Sequence, residues 1–565
     1  MSLQKTILKK HTPCKKSPLQ EETSLNSSRV ASQTARNSLI GVAFFIFTLL
    51  AQFFYRRYFI NTLGDDLLGL NGTLSSIINF LNIAELGLGT AIGFSLYKPL
   101  VERDKQTINE IISLQGWFYR IICLLIAGVS VVLLFFFPVI LGNLLTISKI
   151  PLWYAYATFV VLLTSSLLGY IFNYRQILLF SDLQGYKVTV IMRGSVLGKL
   201  LLQVAAFLYF RGNPLHAYIS WLLIEFLVSI VQTIWLELLI RKIYPWLKTK
   251  KSLGNQLRHK YPIILKKTGQ LFFHKIAYFV VLMSTPLIIA SVLETKNALY
   301  MVAVYQNYYV LFSAANGIVM AIYSAITPAI GNLRAAQSSQ DHIERLFRST
   351  LSLRILMAMT ISLVILYFSK DLMLLWVGGD RYFTSTETLL FSIYCFLQLS
   401  RNTEAFTEAY GMFQDVWAPL VEAAILIAGC FGLGAIWGLS GIFGGMILSA
   451  ATIVHLWKPF FLYHYGFGKS TWLYFRTWCG LVLLLGCIGV VLGWLKEILW
   501  GTITNFLSFI LIGIGWLLLY LAVACILAYL ILPDFRQATH FFAEKAKKLF
   551  FKKEEAPVEE NSDLL

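Results

Sequence analysis

Charge is what this sequence has least of: 13% of its 565 residues are Asp, Glu, Lys or Arg, against about a quarter in soluble domains, while 57% are hydrophobic. A soluble globular fold is excluded. Acidic residues are the scarcer sign, 29 against 47 Lys and Arg, which leaves a net charge of +18. Such a balance suits nucleic acid when it forms a face on a soluble module, but here the cations sit in short segments between apolar runs, so no nucleic-acid partner is expected. Cysteine is sparse too. The seven are odd in number, form no CxxC and have no metal-like spacing with histidine, and Cys123, Cys395, Cys430, Cys479, Cys487 and Cys525 all fall inside apolar runs. They belong to packing, and neither a metal nor a cofactor is expected. P-loop, zinc and hydrolase motifs are missing as well, so transport would have to be driven by an ion gradient, the membrane potential or the substrate gradient.

What is present is a series of apolar runs long enough to cross a hydrocarbon core of about 30 Å. They lie near 38 to 58, 67 to 96, 117 to 141, 152 to 172, 188 to 210, 215 to 240, 269 to 292, 298 to 325, 350 to 369, 387 to 411, 416 to 436, 439 to 460, 473 to 495 and 504 to 531. An all-α integral membrane protein of about fourteen transmembrane helices is therefore expected. The first run follows some three dozen basic, Ser/Thr-rich residues and is too long for a signal-peptide core, so it reads as the first span.

Lysine and arginine set the orientation, because basic loops resist translocation. One side collects the amino-terminal tail, the turns at Lys98/Arg103/Lys105, Arg175/Lys187/Arg193, Arg334/Arg345/Arg348 and Lys458/Lys469/Arg476, the stretch Arg241 to Lys267, and the carboxy-terminal tail. The other has only Lys149, Arg211, Lys296, Lys370, Arg381 and Lys496. The excess, about fourfold, makes the first side cytoplasmic, with both termini there and the chain in a cytoplasmic (inner) membrane. The expected organisation is a basic tail (1–36), a six-helix bundle (37–240), a basic linker (241–268), a second six-helix bundle (269–460), two additional helices (461–531) and a cytoplasmic tail (532–565). A faint echo between Tyr97-Lys98-Pro99-Leu100 and Thr327-Pro328-Ala329-Ile330, each followed by a charged turn, suggests a parallel repeat of the two bundles.

Polar residues inside the runs are the candidates for function. Asn71, Ser75, Asn79, Asn82 and Glu85 recur at steps of three and four along the second run and would share about a third of a helix circumference. An interhelical hydrogen-bonding seam is the plainer reading; lining of an aqueous cavity is favoured by the length of the stripe and its terminal carboxylate. Gly87, Gly89 and Gly93 follow, suiting a bend or a close neighbour. In the tenth run Arg401, Glu404 and Glu408 share a face, either as a self-neutralising pair or as a ligand site. His274 and Lys275 open the seventh run, where a lysine can snorkel; Arg56 and Arg57 read as interfacial. Lys199 lies about 16 Å from the cytoplasmic end of the fifth run, too deep to reach headgroups, and Glu225 reaches similar depth on the sixth. Those two are expected to pair, with Gln203 extending the polar site. Asp65-Asp66 in the first external loop is the one foothold for a membrane glycosyltransferase or polymerase, and adjacent acids after a glycine are ordinary turn residues.

Several segments resemble Wzx-type polysaccharide flippases of the multidrug/oligosaccharidyl-lipid/polysaccharide (MOP) superfamily. They are Leu67-Leu68-Gly69-Leu70-Asn71-Gly72, Ala84-Glu85-Leu86-Gly87-Leu88-Gly89-Thr90-Ala91 and Leu96-Tyr97-Lys98-Pro99-Leu100 in the second run, Tyr305-Gln306-Asn307-Tyr308 and Pro328 to Leu333 in the second half, and Gly438 to Gly445 with Trp457-Lys458-Pro459. The resemblance implies two pseudo-symmetric six-helix bundles around a central cavity, as in multidrug exporters of the superfamily (MATE), with two additional carboxy-terminal helices. It also implies a substrate, an undecaprenyl-diphosphate-linked oligosaccharide repeat unit of a pathway such as O antigen, flipped between leaflets for cell-envelope polysaccharide biosynthesis. Polysaccharide polymerase and glycosyltransferases would then be partners. One departure concerns the seventh run, which reads Ser284-Thr285-Pro286 where many relatives carry an acid. A diphosphate needs cationic donors and a glycan needs amides. Lys199, Arg401, Lys275, His274, Asn71, Asn79 and Asn82 are accordingly the expected substrate-binding residues, with Glu85, Glu225 and Glu404 for coupling. A cation-coupled exporter of small molecules is the alternative within the same superfamily.

Overall fold

The computed structural model describes residues 18–85, 88–182, 184–250, 253–262, 264, 268–269, 280, 284–293, 297–323, 330, 339–410, 412, 414–415, 417–537 and 539–540. The chain is built from α1 (Pro18–Leu63), α2 (Asp65–Leu81), α3 (Leu88–Glu102), α4 (Lys105–Ile147), α5 (Leu152–Ile171), α6 (Gln176–Ser181), α7 (Gly185–Tyr209), α8 (Pro214–Ile243) and α9 (Gly254–Lys260). After these come α10 (Thr285–Val292), α11 (Ala298–Tyr323), α12 (Gln340–Trp376), α13 (Ser385–Leu399), α14 (Thr403–Ala409), α15 (Trp417–Ser449), α16 (Lys458–Phe461), α17 (Trp472–Trp500) and α18 (Phe506–Ile531). Among the described residues, eight helices are long and apolar enough to cross a membrane. His274 and Lys275 lie outside the described residues.

Local chemistry sets the helix ends. Asp104 accepts the backbone N–H groups of Gln106 (3.1 Å) and Thr107 (3.0 Å) and starts α4, Asn213 followed by Pro214 starts α8, and Thr384 with Glu387 forms a capping box on α13. Part of the expected amino-terminal tail is helical: α1 begins at Pro18 and meets no further Pro, and no Gly before Gly41, so nothing in that stretch breaks it. The second run, expected as one helix, is two. Its α2 ends at Leu81, a 3₁₀ turn covers Asn82–Glu85, and α3 starts at Leu88. Asn82 offers a side-chain alternative to helical hydrogen bonding, and Gly87 and Gly89 add little helix propensity. A 3₁₀ turn also follows the fourth run, at Asn173–Arg175, and the tenth run breaks without one at Ser400–Asn402.

Among the described residues the fold is all-α, with two helical bundles and two further helices at the carboxy-terminal end. In the first, α7 packs on α1 and α8, and α5 on α4 and α8; the second centres on α12, α13 and α15. The bundles meet where α2 lies along α11. There Gly69 faces the backbone carbonyl of Leu299 so closely that a methyl group would collide with main chain, which requires glycine, while Gly72 faces the Gln306 side-chain amide, which would have to swing aside. The last two helices pack on α12 and are pinned at both ends. Arg348 and Thr477 meet Asp534 at 2.8 and 2.6 Å, and Lys496 meets Asp371 at 2.9 Å with both side chains buried. Facing away from the protein, Leu507, Leu511 and Leu518 of α18 are more than half exposed, an apolar row that suits lipid. The linker packs on the first bundle: the N–H groups of Lys248 and Lys250 reach Asn109 and Ser113 of α4, and Lys260 and Tyr261 both reach Glu110.

Candidate functional site

The ends of the helices define two faces. One carries the linker and most cations; the other, charge-poor, carries the junctions at 63–65, 148–151, 210–213 and 377–384. Polar contacts between the bundles gather near the charge-poor face. Arg56 donates to Asn307 Oδ1 at 2.9 Å, the Trp376 indole N–H donates to the Phe53 carbonyl at 2.7 Å, and Arg57 reaches the Leu375 carbonyl at 3.4 Å. Arg381 Nε donates to both oxygens of Asp65, at 2.7 and 2.9 Å, and this hydrogen-bonded carboxylate holds the guanidinium above its ordinary value. Asp65, the candidate turn or catalytic acid, is thereby engaged across the seam.

Arg56 therefore sits deeper than an interfacial arginine. It lies seven residues, about 10 Å, from the end of α1, and forms no ion pair with a described residue. Its partner Asn307 is fully buried, and among the described residues the Asn307 Nδ2 has no partner; elsewhere on the seam, the Asn71 Oδ1 of α2 is likewise buried without one. Next along α1, Tyr55 opens a hydrogen-bonded chain. The Trp221 indole N–H donates to the Tyr55 hydroxyl at 3.0 Å, Gln203 Nε2 lies 3.5 Å from the Trp221 carbonyl and 3.2 Å from Glu225 Oε2, and Lys199 Nζ donates to Glu225 Oε1 at 2.7 Å. The Lys199 and Glu225 side chains keep 23% and 12% of their surface exposed, so the pair is reachable from outside the packed core. Counting in from the charge-poor ends of their helices, Arg56, Trp221, Lys199 and Glu225 all fall about 10 to 16 Å deep.

The other expected residues go elsewhere. Beyond Leu81 the helical face ends, and Asn82 turns into the first bundle, where its Oδ1 accepts from Ser166 (2.9 Å) and Tyr170 (3.0 Å). Glu85 accepts from the Tyr119 hydroxyl of α4. The expectation of one continuous stripe is corrected: Asn71 and Asn79 remain on α2, half-buried, while Asn82 and Glu85 leave it. Arg401 is 8% exposed at the break of the tenth run. Its guanidinium meets Glu404 at 2.6 Å, Gln398 at 2.8 Å and Glu422 at 3.2 Å, so two carboxylates surround it. The carbonyls freed by that break are covered: His455 Nε2 reaches the Leu397 oxygen at 2.9 Å and Arg354 Nε donates to the Leu399 oxygen at 2.8 Å. His455 projects from a π-helical stretch, Ala450–Trp457.

Sequence reasoning missed Arg56, Asp65–Arg381 and Glu422. It also missed Arg175, which donates to Glu237 (2.8 Å) and Thr249 (2.8 Å) from the 3₁₀ turn that follows the fourth run. A signal for that one exists. Arg175-x4-Phe180-Ser181-Asp182-x2-Gly185 is matched by Arg401-x4-Phe406-Thr407-Glu408-x2-Gly411, a sharper repeat than the one at Tyr97.

No protein-family profile and no curated protein matches this sequence. Solved structures do match. The lipid II flippase MurJ in its inward closed conformation superposes with a TM-score of 0.61 at 12% identity, over 86% of this chain and 98% of that one. An inward-facing multidrug resistance MATE family transporter of the MOP superfamily gives 0.51 at 13% identity, over 75% of this chain and 97% of that one. At such identities the likeness is one of fold, and the fold of this chain is the one these membrane transporters share.

Proposed function

We propose that the protein is a flippase that moves undecaprenyl-diphosphate-linked oligosaccharide repeat units across the cytoplasmic membrane by alternating access. The observation that carries this reading is Arg56, a cation in the inter-bundle seam bound to the Asn307 amide and, among the described residues, to no carboxylate, about one helical turn nearer the charge-poor face than Lys199. A half-buried cation with no counter-ion among the described residues is costly in a membrane, and a diphosphate entering the seam would supply the missing charge through charge-assisted hydrogen bonds. Lys199 could then exchange Glu225 for phosphate, leaving the carboxylate to take up a proton during the cycle. Asn71 and Asn79 would face the sugars. Arg401, enclosed by Glu404 and Glu422, serves the substrate only if those acids release it. In this reading the basic face is cytoplasmic, both termini lie there, and glycosyltransferases and a polymerase work beside the protein.

The likeness to a MATE transporter favours a second reading, a cation-coupled exporter of small molecules. Surface glycan in cells carrying Arg56→Ala separates the two. A flippase loses the glycan with Arg56→Ala and keeps part of it with Arg56→Lys, at normal membrane levels of both. Normal glycan in both variants, together with raised drug sensitivity of the deletion strain, selects the exporter.

A further inference from the structure

We infer that the Asp65–Arg381 ion pair is a latch holding the external ends of the two bundles together, so that its rupture opens the chain to the outside. The inference rests on the alternating-access reading above. Of the ion pairs between described residues, this one joins the first bundle to the second. The others lie within a bundle or its adjoining linker, as Arg175–Glu237, Lys199–Glu225, Lys260–Glu110 and Lys458–Asp415 do, or tie the last two helices to the second bundle, as Arg348–Asp534 and Lys496–Asp371 do.

Its construction suits a contact that must form and break. Arg381 is held by its own loop before it meets Asp65, because its NH1 donates to the Val377 and Gly378 carbonyls at 3.2 and 3.0 Å. That loop turns through Gly378 and Gly379, with φ of 72° and 62°, and a methyl group on Gly379 would lie 3.1 Å from the guanidinium. A pre-positioned fork meets a carboxylate with little further ordering. The pair also keeps 24% and 13% of its side-chain surface exposed, against 2% and 4% for Lys496–Asp371. Water can replace each partner as the ends part, so rupture avoids the penalty of stranding a buried charge. Trp376 on the Phe53 carbonyl and Arg57 on the Leu375 carbonyl also join α1 to the end of α12, further along the same seam, and would separate in the same movement.

The test is a distance measurement on the full chain in lipid nanodiscs, without substrate, in a background where the native cysteines are replaced. Spin labels at Lys149→Cys and Lys370→Cys report the external ends; a second pair at Lys105→Cys and Arg345→Cys reports the basic ends. Arg381→Gln and Asp65→Asn should each raise the long-distance population at the external pair about fivefold. The exchange Asp65→Arg with Arg381→Asp should return it towards the parent. An unchanged external distribution in both single variants, each eluting as the parent does, overturns the latch and leaves the transport reading standing. External lengthening without shortening at the basic pair supports the latch and removes alternating access.

Discussion

Removing one partner of the Lys496–Asp371 pair should loosen the last two helices, by an amount that follows from its geometry. At 2.9 Å and an effective dielectric of about 20, the attraction is about 6 kcal/mol, and Asp371 also receives the Ile503 N–H at 3.4 Å. Desolvation consumes much of that in the intact protein, but Asp371→Ala leaves the Lys496 ammonium beneath a 2%-exposed surface with Glu497 and the Gly501 carbonyl as remaining partners. The expected loss is about 3 kcal/mol, the lower end for a stranded buried charge, because Glu497 at 3.1 Å softens it. Neutralising both, with Asp371→Asn and Lys496→Met, should recover at least half, since the Phe368 ring, 5.4 Å from the ammonium, gives the methionine end an apolar neighbour. Reversible unfolding in mild detergent, followed by the fluorescence of Trp494, Trp500 and the other tryptophans, gives the ordering. Should Asp371→Ala lie within about 0.5 kcal/mol of the parent, the pair contributes nothing and the reasoning from burial fails.

Three further outcomes are expected. Lys199→Arg should keep part of the export and Lys199→Gln should lose it with the protein inserted; normal surface glycan from well-expressed Lys199→Gln removes the lysine from the site. For Arg401, single Arg401→Ala and Glu422→Gln variants should both lower protein levels, and if Arg401→Ala combined with Glu404→Ala and Glu422→Gln restores export, the group is structural and binds no substrate. Reporters fused after Lys267 and at Leu565 should be cytoplasmic and one at Lys370 external; the even-span arrangement fails if Lys370 and Leu565 report the same side.

Depth counting on antiparallel neighbours was enough to pair Lys199 with Glu225, because helices fix 1.5 Å per residue and both runs are continuous helices. The same arithmetic failed on Asn71 to Glu85. Periodicity assumes an unbroken helix, and the 3₁₀ turn at Asn82 rotates everything after it into the first bundle. At Arg401 the sequence shows the local partner three residues away but not Glu422, which the next helix brings back from 21 residues on. Asp65 and Arg381 are 316 residues apart, and nothing in either neighbourhood marks them as partners. Arg56 read as interfacial because hydropathy places a residue along the membrane normal and says nothing about which neighbour it faces.

The contact of Gly69 with the Leu299 carbonyl bears on how a seam between two bundles can be closed. A barrier closed by side chains flickers with rotamer exchange, on a scale of picoseconds to nanoseconds, and each flicker can admit water or a proton. Here part of the barrier is main chain against main chain. Such a seal has no rotamer to lose; it yields only when whole bundles move, in microseconds to milliseconds. If the protein works by the alternating access proposed above, ion gradients across the membrane are exposed to it once per transport movement rather than at every thermal fluctuation of a side chain.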